Sequence, residues 1–76
     1  MRIHLDIPIS EIEHLIDEWI YSERDREILK RRLIDGITYE KIAEEFDLST
    51  KRTSDIIYAG IQRVVAKLPQ KYTKDI

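Results

Sequence analysis

The sequence predicts an all-α domain of four helices preceded by a short extended N-terminal segment. Two observations predict this fold class. Apolar residues recur at three- and four-residue steps along four stretches of the chain. Each stretch follows a residue that can cap a helix, namely Ser10, Ser22, Thr38 and Ser49. The 76 residues suffice for one domain, which we divide into an extended arm (1–9), a helical domain (10–69) and a flexible tail (70–76).

The extended arm is indicated by alternation at the N-terminus. Four apolar residues, Ile3, Leu5, Ile7 and Ile9, recur with a period of two, which is typical of a β-strand. Pro8 has no N–H to donate, so such a strand lies at an edge or ends there. The sequence shows no second strand, and one strand alone is unstable. We therefore expect a homodimer through this arm and the first helix; the alternative is that residues 3–9 lie across the monomer's own helices.

The first predicted helix runs from about residue 11 to residue 21. Ser10 and Glu13 fit a capping box, in which each side chain bonds the backbone N–H of the other residue. The apolar residues fall on one helix face and the acidic residues on the opposite face. We assign Trp19 to the core rather than to an interface.

The second predicted helix begins after Ser22, its N-cap, and ends at Asp35 and Gly36. Gly36 can adopt the left-handed conformation that terminates a helix at low cost. The basic run Lys30–Arg32 lies near the negative end of the helix dipole, and we expect it to compensate that dipole.

The third and fourth helices form a helix-turn-helix pattern. Thr38 caps a short helix from Tyr39 to Phe46, a three-residue turn Asp47–Ser49 follows, and Ser49 caps the last helix, which Pro69 stops. Ala43 is predicted at the crossing of the two helices, where only a small side chain permits close approach. Asp47 is predicted to be left-handed, a conformation that aspartate tolerates.

The net charge of −2 is unevenly distributed. Residues 1–21 carry −4, residues 22–48 carry −2 and residues 49–76 carry +4. A basic surface is therefore expected at the C-terminal helix of an acidic chain. Binding of a polyanion there would be modest and strongly dependent on salt.

The composition excludes several classes of function. With no cysteine and two histidines, a Cys/His zinc site cannot be built, and we expect neither a metal nor a cofactor. No apolar run approaches the roughly 20 residues of a membrane span, so we expect a soluble cytoplasmic protein. No serine has a neighbouring base and so small a core encloses no carboxylate pair, so we predict that the protein is not an enzyme.

Residues 22–68 contain a pattern that resembles a known family. The segments that carry it are Arg26–Leu29, Asp35–Phe46 (Asp-Gly-Ile-Thr-Tyr-Glu-Lys-Ile-Ala-Glu-Glu-Phe) and Leu48–Ser49. They resemble region 4 of bacterial sigma factors and the related tails of LuxR-type regulators. The resemblance implies a DNA-binding helix-turn-helix protein, of the small stand-alone kind that occurs in phages and mobile elements. The chain departs from the family at Thr53, where an aliphatic residue is usual, and at Gly60 inside the last helix.

The resemblance also implies which residues contact double-stranded DNA. The family reads DNA with the exposed start of its last helix, which here corresponds to Thr50, Lys51, Arg52, Ser54, Asp55 and Tyr58. The free amides at Ser49 favour a phosphate, and Tyr39 is placed to contact the DNA backbone. Asp55 either accepts from cytosine N4 or neutralises Lys51 four residues earlier, and we favour the pairing. Dipole compensation is favoured over DNA contact for Lys30–Arg32.

Two functions follow from these features. The first is a sequence-specific DNA-binding transcriptional regulator that reads the major groove. The alternative is a protein-interaction module on the same scaffold, which binds RNA polymerase or inhibits a host protein. The acidic N-terminal half of the chain favours the alternative.

Overall fold

The computed structural model describes residues 2–3, 7–69 and 73–74. These residues form the helices α1 (Ile9–Trp19), α2 (Glu23–Leu33), α3 (Tyr39–Phe46) and α4 (Thr50–Ala66) and the strands β1 (Arg2–Ile3) and β2 (Thr73–Lys74). The predicted all-α class with four helices is confirmed. The longest helix, α4, packs against each of the other three. Among the residues described, no helix is long and apolar enough to cross a membrane.

The two short strands pair with each other in antiparallel orientation, with Arg2 opposite Lys74 and Ile3 opposite Thr73. The expectation that the chain offers no second strand is therefore wrong, and the backbone argument for a homodimer is lost with it. A strand of two residues is too short for side-chain alternation to reveal it in a sequence. The other positions of the predicted arm and tail before Ile7 and after Pro69 lie outside the described residues.

Helix α1 begins earlier than predicted, at Ile9, and the predicted capping box at Ser10 is wrong because Ser10 is already helical. The N-cap is Pro8, whose carbonyl accepts from the amides of Glu11 and Ile12 at 3.0 and 3.2 Å. A residue before proline is held extended, so Ile7 lies outside the helix and the helix starts directly after Pro8. The helix ends at Trp19, two positions before the predicted end, and Ile20 continues into the core.

The other three helices have the predicted caps. The hydroxyls of Ser22, Thr38 and Ser49 accept from the third helical amide at 3.2, 3.3 and 3.0 Å. Such a bond satisfies an amide that the helix itself leaves without a partner. After α2, Gly36 has a φ of 69°, which is the predicted left-handed conformation. The bounds of α3 agree with the prediction residue for residue.

The core includes residues of all four helices and Ile20, the first of the three residues between α1 and α2. Its buried members are Leu15, Ile16, Ile20, Ile28, Leu29, Ile42, Ile56, Ile57 and Val64. Trp19 is half-buried and packs against this cluster, in agreement with its predicted place. The ammonium of Lys67 lies 4.1 Å from the centre of the Trp19 ring, which links the end of α4 to α1.

Gly60 marks a close approach of α4 to α2. A Cβ added there would lie 2.4 Å from Cδ1 of Leu29, a side chain that is completely buried. Glycine inside a helix costs about 1 kcal/mol relative to alanine. The close contact with Leu29 explains why the chain carries that cost.

Candidate nucleic-acid interface

The turn between α3 and α4 is set by one left-handed residue. Asp47 has φ 56° and ψ 47°, as predicted. Its amide and that of Leu48 donate back to α3, the latter to the carbonyl of Ala43 at 2.9 Å. Leu48 then packs against the core, and Ser49 caps α4. This geometry fixes the direction in which α4 leaves the turn.

The inner face of α3 is small and apolar. Ile42 is completely buried, and Ala43, predicted at the helix crossing, is only 4% exposed. Because α3 packs against both α2 and α4, a larger side chain at position 43 would push these helices apart. The buried apolar residues of α3 thus fix the helix-turn-helix unit against the rest of the domain.

The outer face of α4 carries the residues that the sequence singled out. The five exposed residues among them are Thr50, Lys51, Arg52, Asp55 and Tyr58. Ser54 is half-buried. Tyr58 is 66% exposed. The predicted site residues on α4 therefore share one solvent-facing surface, next to the cap residue Ser49.

The start of α4 is also favourable for an anion. The hydroxyl of Ser49 satisfies the amide of Arg52, while helix geometry leaves the amides of Thr50 and Lys51 without acceptors inside the helix. The helix dipole adds partial positive charge at this end. Lys51 and Arg52 add two cationic side chains in the first turn.

The predicted pairing of Asp55 is present. The ammonium of Lys51 lies 3.4 Å from a carboxylate oxygen of Asp55, and the two side chains are 86% and 57% exposed. Arg52 takes part in no salt bridge among the residues that the structure describes. Arg52 is one of the residues that line an open groove of about 390 Å³ between α4 and the junction of α1 with α2.

Arg63 is an exposed cation that sequence reasoning did not single out. It lines the same groove as Arg52, and its guanidinium lies 5.8 Å from the ring centre of Tyr21. The two arginines are eleven residues apart, or about three helical turns, so they share one flank of α4. That spacing was the signal in the sequence that could have identified Arg63.

The basic run on α2 has different surroundings. Lys30 lies 2.8 Å from Asp17 of α1, and Arg31 makes a two-pronged contact with Glu45 of α3 and a further one with Glu27. The bond from Arg31 holds the pKa of Glu45 below its ordinary range, and the bond to Asp17 raises the pKa of Lys30. These cations are neutralised by carboxylates, mostly on neighbouring helices, which goes beyond the predicted compensation of the helix dipole.

Tyr39 occupies an intermediate position. Its ring is half-buried against the core, and the guanidinium of Arg32 lies 4.6 Å from the ring centre. Arg32 also donates to the carbonyl of Ile37 at 3.2 Å. The structure thus places Tyr39 at the start of α3, on a different helix from the other predicted contact residues.

Thr53 points to the opposite side of α4 from this surface. It is completely buried, and its hydroxyl has no hydrogen-bond partner among the described residues. Thr53 stands at a position where, according to the resemblance to sigma region 4, an aliphatic residue is usual. The structure shows the reason, because the surroundings are the apolar core.

These features define a class: a helix-turn-helix domain whose second helix begins with a capped, exposed and basic turn. Residues 22–65, more than half of the chain, match the family sigma-70, region 4, and the chain belongs to this family. Its domains are DNA-binding helix-turn-helix domains, and they bind DNA and RNA polymerase. No curated protein and no solved structure gives a significant match. The matched residues include α2, α3 and most of α4, and α1 lies outside them.

Proposed function

We propose that this chain is a sequence-specific DNA-binding transcriptional regulator that places the start of α4 in the major groove. The observation that carries the proposal is the exposed first turn of α4, where Lys51 and Arg52 adjoin the Ser49 cap. An α-helix fits the major groove, and residues in its first turns reach base edges. Membership of a DNA-binding family supports the same function.

Each residue of the surface has a proposed role. The helix start at Ser49 binds a phosphate, and Tyr39 contacts the DNA backbone beside it. Arg52 and Lys51 supply charge and can donate to guanine. The base edges are read by the polar residues along the exposed stripe, Thr50, Ser54, Asp55 and Tyr58.

The proposal is tested with single substitutions at the start of α4. Arg52→Ala and Lys51→Ala should each weaken DNA binding and lower the slope of log K against log salt by about one, because each removes one phosphate contact. Arg24→Ala is a matched control, since Arg24 lies on α2 and bonds only its neighbour Asp25 among the described residues. Fluorescence anisotropy on a selected duplex measures all three. Equal affinity of both α4 variants and the wild type would refute the assignment.

A second candidate function is a protein-interaction module, for RNA polymerase or for a host protein that it inhibits. The supporting observation is α1, which lies outside the family match and exposes the acidic residues Glu13, Asp17 and Glu18. A duplex of random sequence distinguishes the two functions. Binding that disappears with added salt supports the regulator, whereas no binding even at about 20 mM salt supports the protein partner.

The homodimer remains a proposal with a narrower basis. One helix in one groove reads few bases, and a dimer reads two half-sites about one helical turn apart. The pairing of β1 with β2 removes the need for a second copy to complete the backbone of β1. Light scattering on the full chain at about 100 μM tests the proposal, because association depends on concentration. The cytoplasmic location and the phage or mobile-element origin likewise stay predictions.

A further inference from the structure

Asp55 is the one acidic residue in α4, on a surface that otherwise carries cations and hydroxyls. It shares an exposed helical stripe with Lys51, one turn earlier, and Tyr58, about one turn later. The proposed function directs this stripe toward a polyanion, so a carboxylate there is electrostatically unfavourable unless it has a specific partner on the DNA.

Asp55 contributes little to the stability of the fold. It is the sixth residue of α4, beyond the first turn in which a carboxylate benefits from the helix dipole. Its contact with Lys51 is long at 3.4 Å, both side chains are solvent-exposed, and a lysine preceding an acid is the weaker order for such pairs. The ion pair can therefore be broken at a small cost in free energy when DNA offers either side chain a stronger contact.

The major groove offers a carboxylate few partners. An ionised carboxylate only accepts hydrogen bonds. Guanine presents two acceptors there and thymine presents an acceptor and a methyl group, whereas cytosine presents the N4 donor without an adjacent acceptor. Adenine presents its N6 donor beside the N7 acceptor, so only one of its two groups suits a carboxylate. Cytosine is consequently the base that fits Asp55, and guanine is the base that it repels most.

We propose that Asp55 is a specificity-determining residue that selects a cytosine by excluding the other bases. This rests on the proposed function. On a matching site the ion pair opens, Asp55 accepts from cytosine N4, and Lys51 is released to a phosphate or a guanine. On other sequences the carboxylate faces acceptors, and it lowers affinity for them. Discrimination comes from the repulsive element as much as from the new bond.

The test is selection from randomised duplexes with the full-length wild type and two variants, Asp55→Asn and Asp55→Ala. The wild type should require cytosine at one position, with a preference of about 5- to 150-fold. Asp55→Asn should change that preference to adenine, which asparagine bonds through N6 and N7. Asp55→Ala should lose the preference at that position alone.

Binding to a duplex of random sequence supplies the second readout. Both variants should bind it about two- to fivefold more tightly than the wild type, because a negative charge has been removed and Lys51 released. Glu18→Gln is the control, since it removes the same charge from an exposed side chain of α1 and should leave this affinity unchanged. Thermal unfolding verifies that all variants are folded.

The outcomes separate this inference from the proposed function. Variants with the wild-type base preference at every position would overturn the role of Asp55 while leaving the regulator intact. A general gain in affinity without a change at one position would do the same, because it would make Asp55 a simple repulsive charge. A wild type that binds no duplex would overturn both.

Discussion

Two basic runs of this chain, Lys30–Arg32 at the end of α2 and Lys51–Arg52 at the start of α4, are alike in composition and opposite in surroundings. The side chains of Lys30 and Arg31 contact carboxylates of α1, α2 and α3. Lys51 has only its weak partner Asp55, and Arg52 has no carboxylate partner among the described residues. A cation is thus available for DNA according to which groups the fold places beside it, and the number of cations on a helix does not decide this.

The exposure of Lys51 and Arg52 depends on the packing of α3 against the buried side of α4, and a substitution at the crossing of these helices tests that packing. Ala43→Leu should lower the free energy of unfolding by about 1–3 kcal/mol, because overpacking a buried position forces strain on its neighbours. Thr50→Leu is the control on the exposed face and should stay near wild type. Thermal denaturation measures both. If Ala43→Leu is as stable as the wild type, the crossing does not lie at Ala43.

Alanine substitution of two cations in each run separates their roles. The double variant Lys51→Ala/Arg52→Ala should bind DNA on the order of tenfold or more weakly, with a salt slope reduced by about two and an unchanged melting temperature. Lys30→Ala/Arg31→Ala removes the same charge and should lower the melting temperature while the salt slope stays constant. Anisotropy titrations at several salt concentrations, with parallel melting curves, decide the matter. A reduced salt slope in the α2 variant would show that its cations are available to DNA.

Thr53 lies on the buried side of α4, so a substitution there should change the stability of the fold and leave DNA binding unchanged. Thr53→Val should raise the free energy of unfolding by about 1 kcal/mol, because it removes a buried hydroxyl without a partner while keeping the branched shape. DNA affinity should not change. Urea unfolding provides the value, and a less stable variant would indicate that the hydroxyl has a partner in solution.

The contact between Arg31 and Glu45 should also make the stability of the fold depend on pH. The hydrogen bond from Arg31 lowers the pKa of Glu45. This pair therefore stabilises the fold at pH values above the ordinary pKa of glutamate, about 4.3. The stabilisation is lost as the pH falls from that range through the lowered pKa of the folded state. Glu45→Gln should therefore show a smaller drop in melting temperature on acidification than the wild type. Glu44→Gln, the control at the adjacent exposed position, should show the same drop as the wild type. Identical pH profiles for the wild type and Glu45→Gln would contradict this.

The sequence predicted best those features that depend on residues close together in the chain. The caps at Ser22, Thr38 and Ser49, the left-handed Asp47 and the Lys51–Asp55 pair each involve residues at most four positions apart. The candidate residues on α4 were implied by the resemblance to sigma region 4, and the structure shows that they are exposed or half-buried.

Features that depend on contacts between distant segments were not predictable. The partners of Lys30 and Arg31, Asp17 and Glu45, are set by how α1 and α3 pack on α2. The pairing of Arg2–Ile3 with Thr73–Lys74 joins opposite ends of the chain. The start of α1 was mispredicted for a different reason, because two local signals competed there and the restriction imposed by Pro8 outweighed the capping box at Ser10.

The side chain of Leu29 occupies the space that a side chain at position 60 would need. The residue tolerated at one of these positions therefore depends on the residue at the other. A methyl group at position 60 has room only if the leucine becomes smaller, and a smaller residue at position 29 leaves a void that a methyl group at position 60 would fill. The two substitutions should therefore be strongly non-additive, and a double-mutant cycle of Gly60→Ala with Leu29→Val should show partial mutual rescue. Among relatives of this chain, we expect a larger residue at position 60 to accompany a smaller one at position 29, which makes the pair a marker of how closely α2 and α4 approach each other.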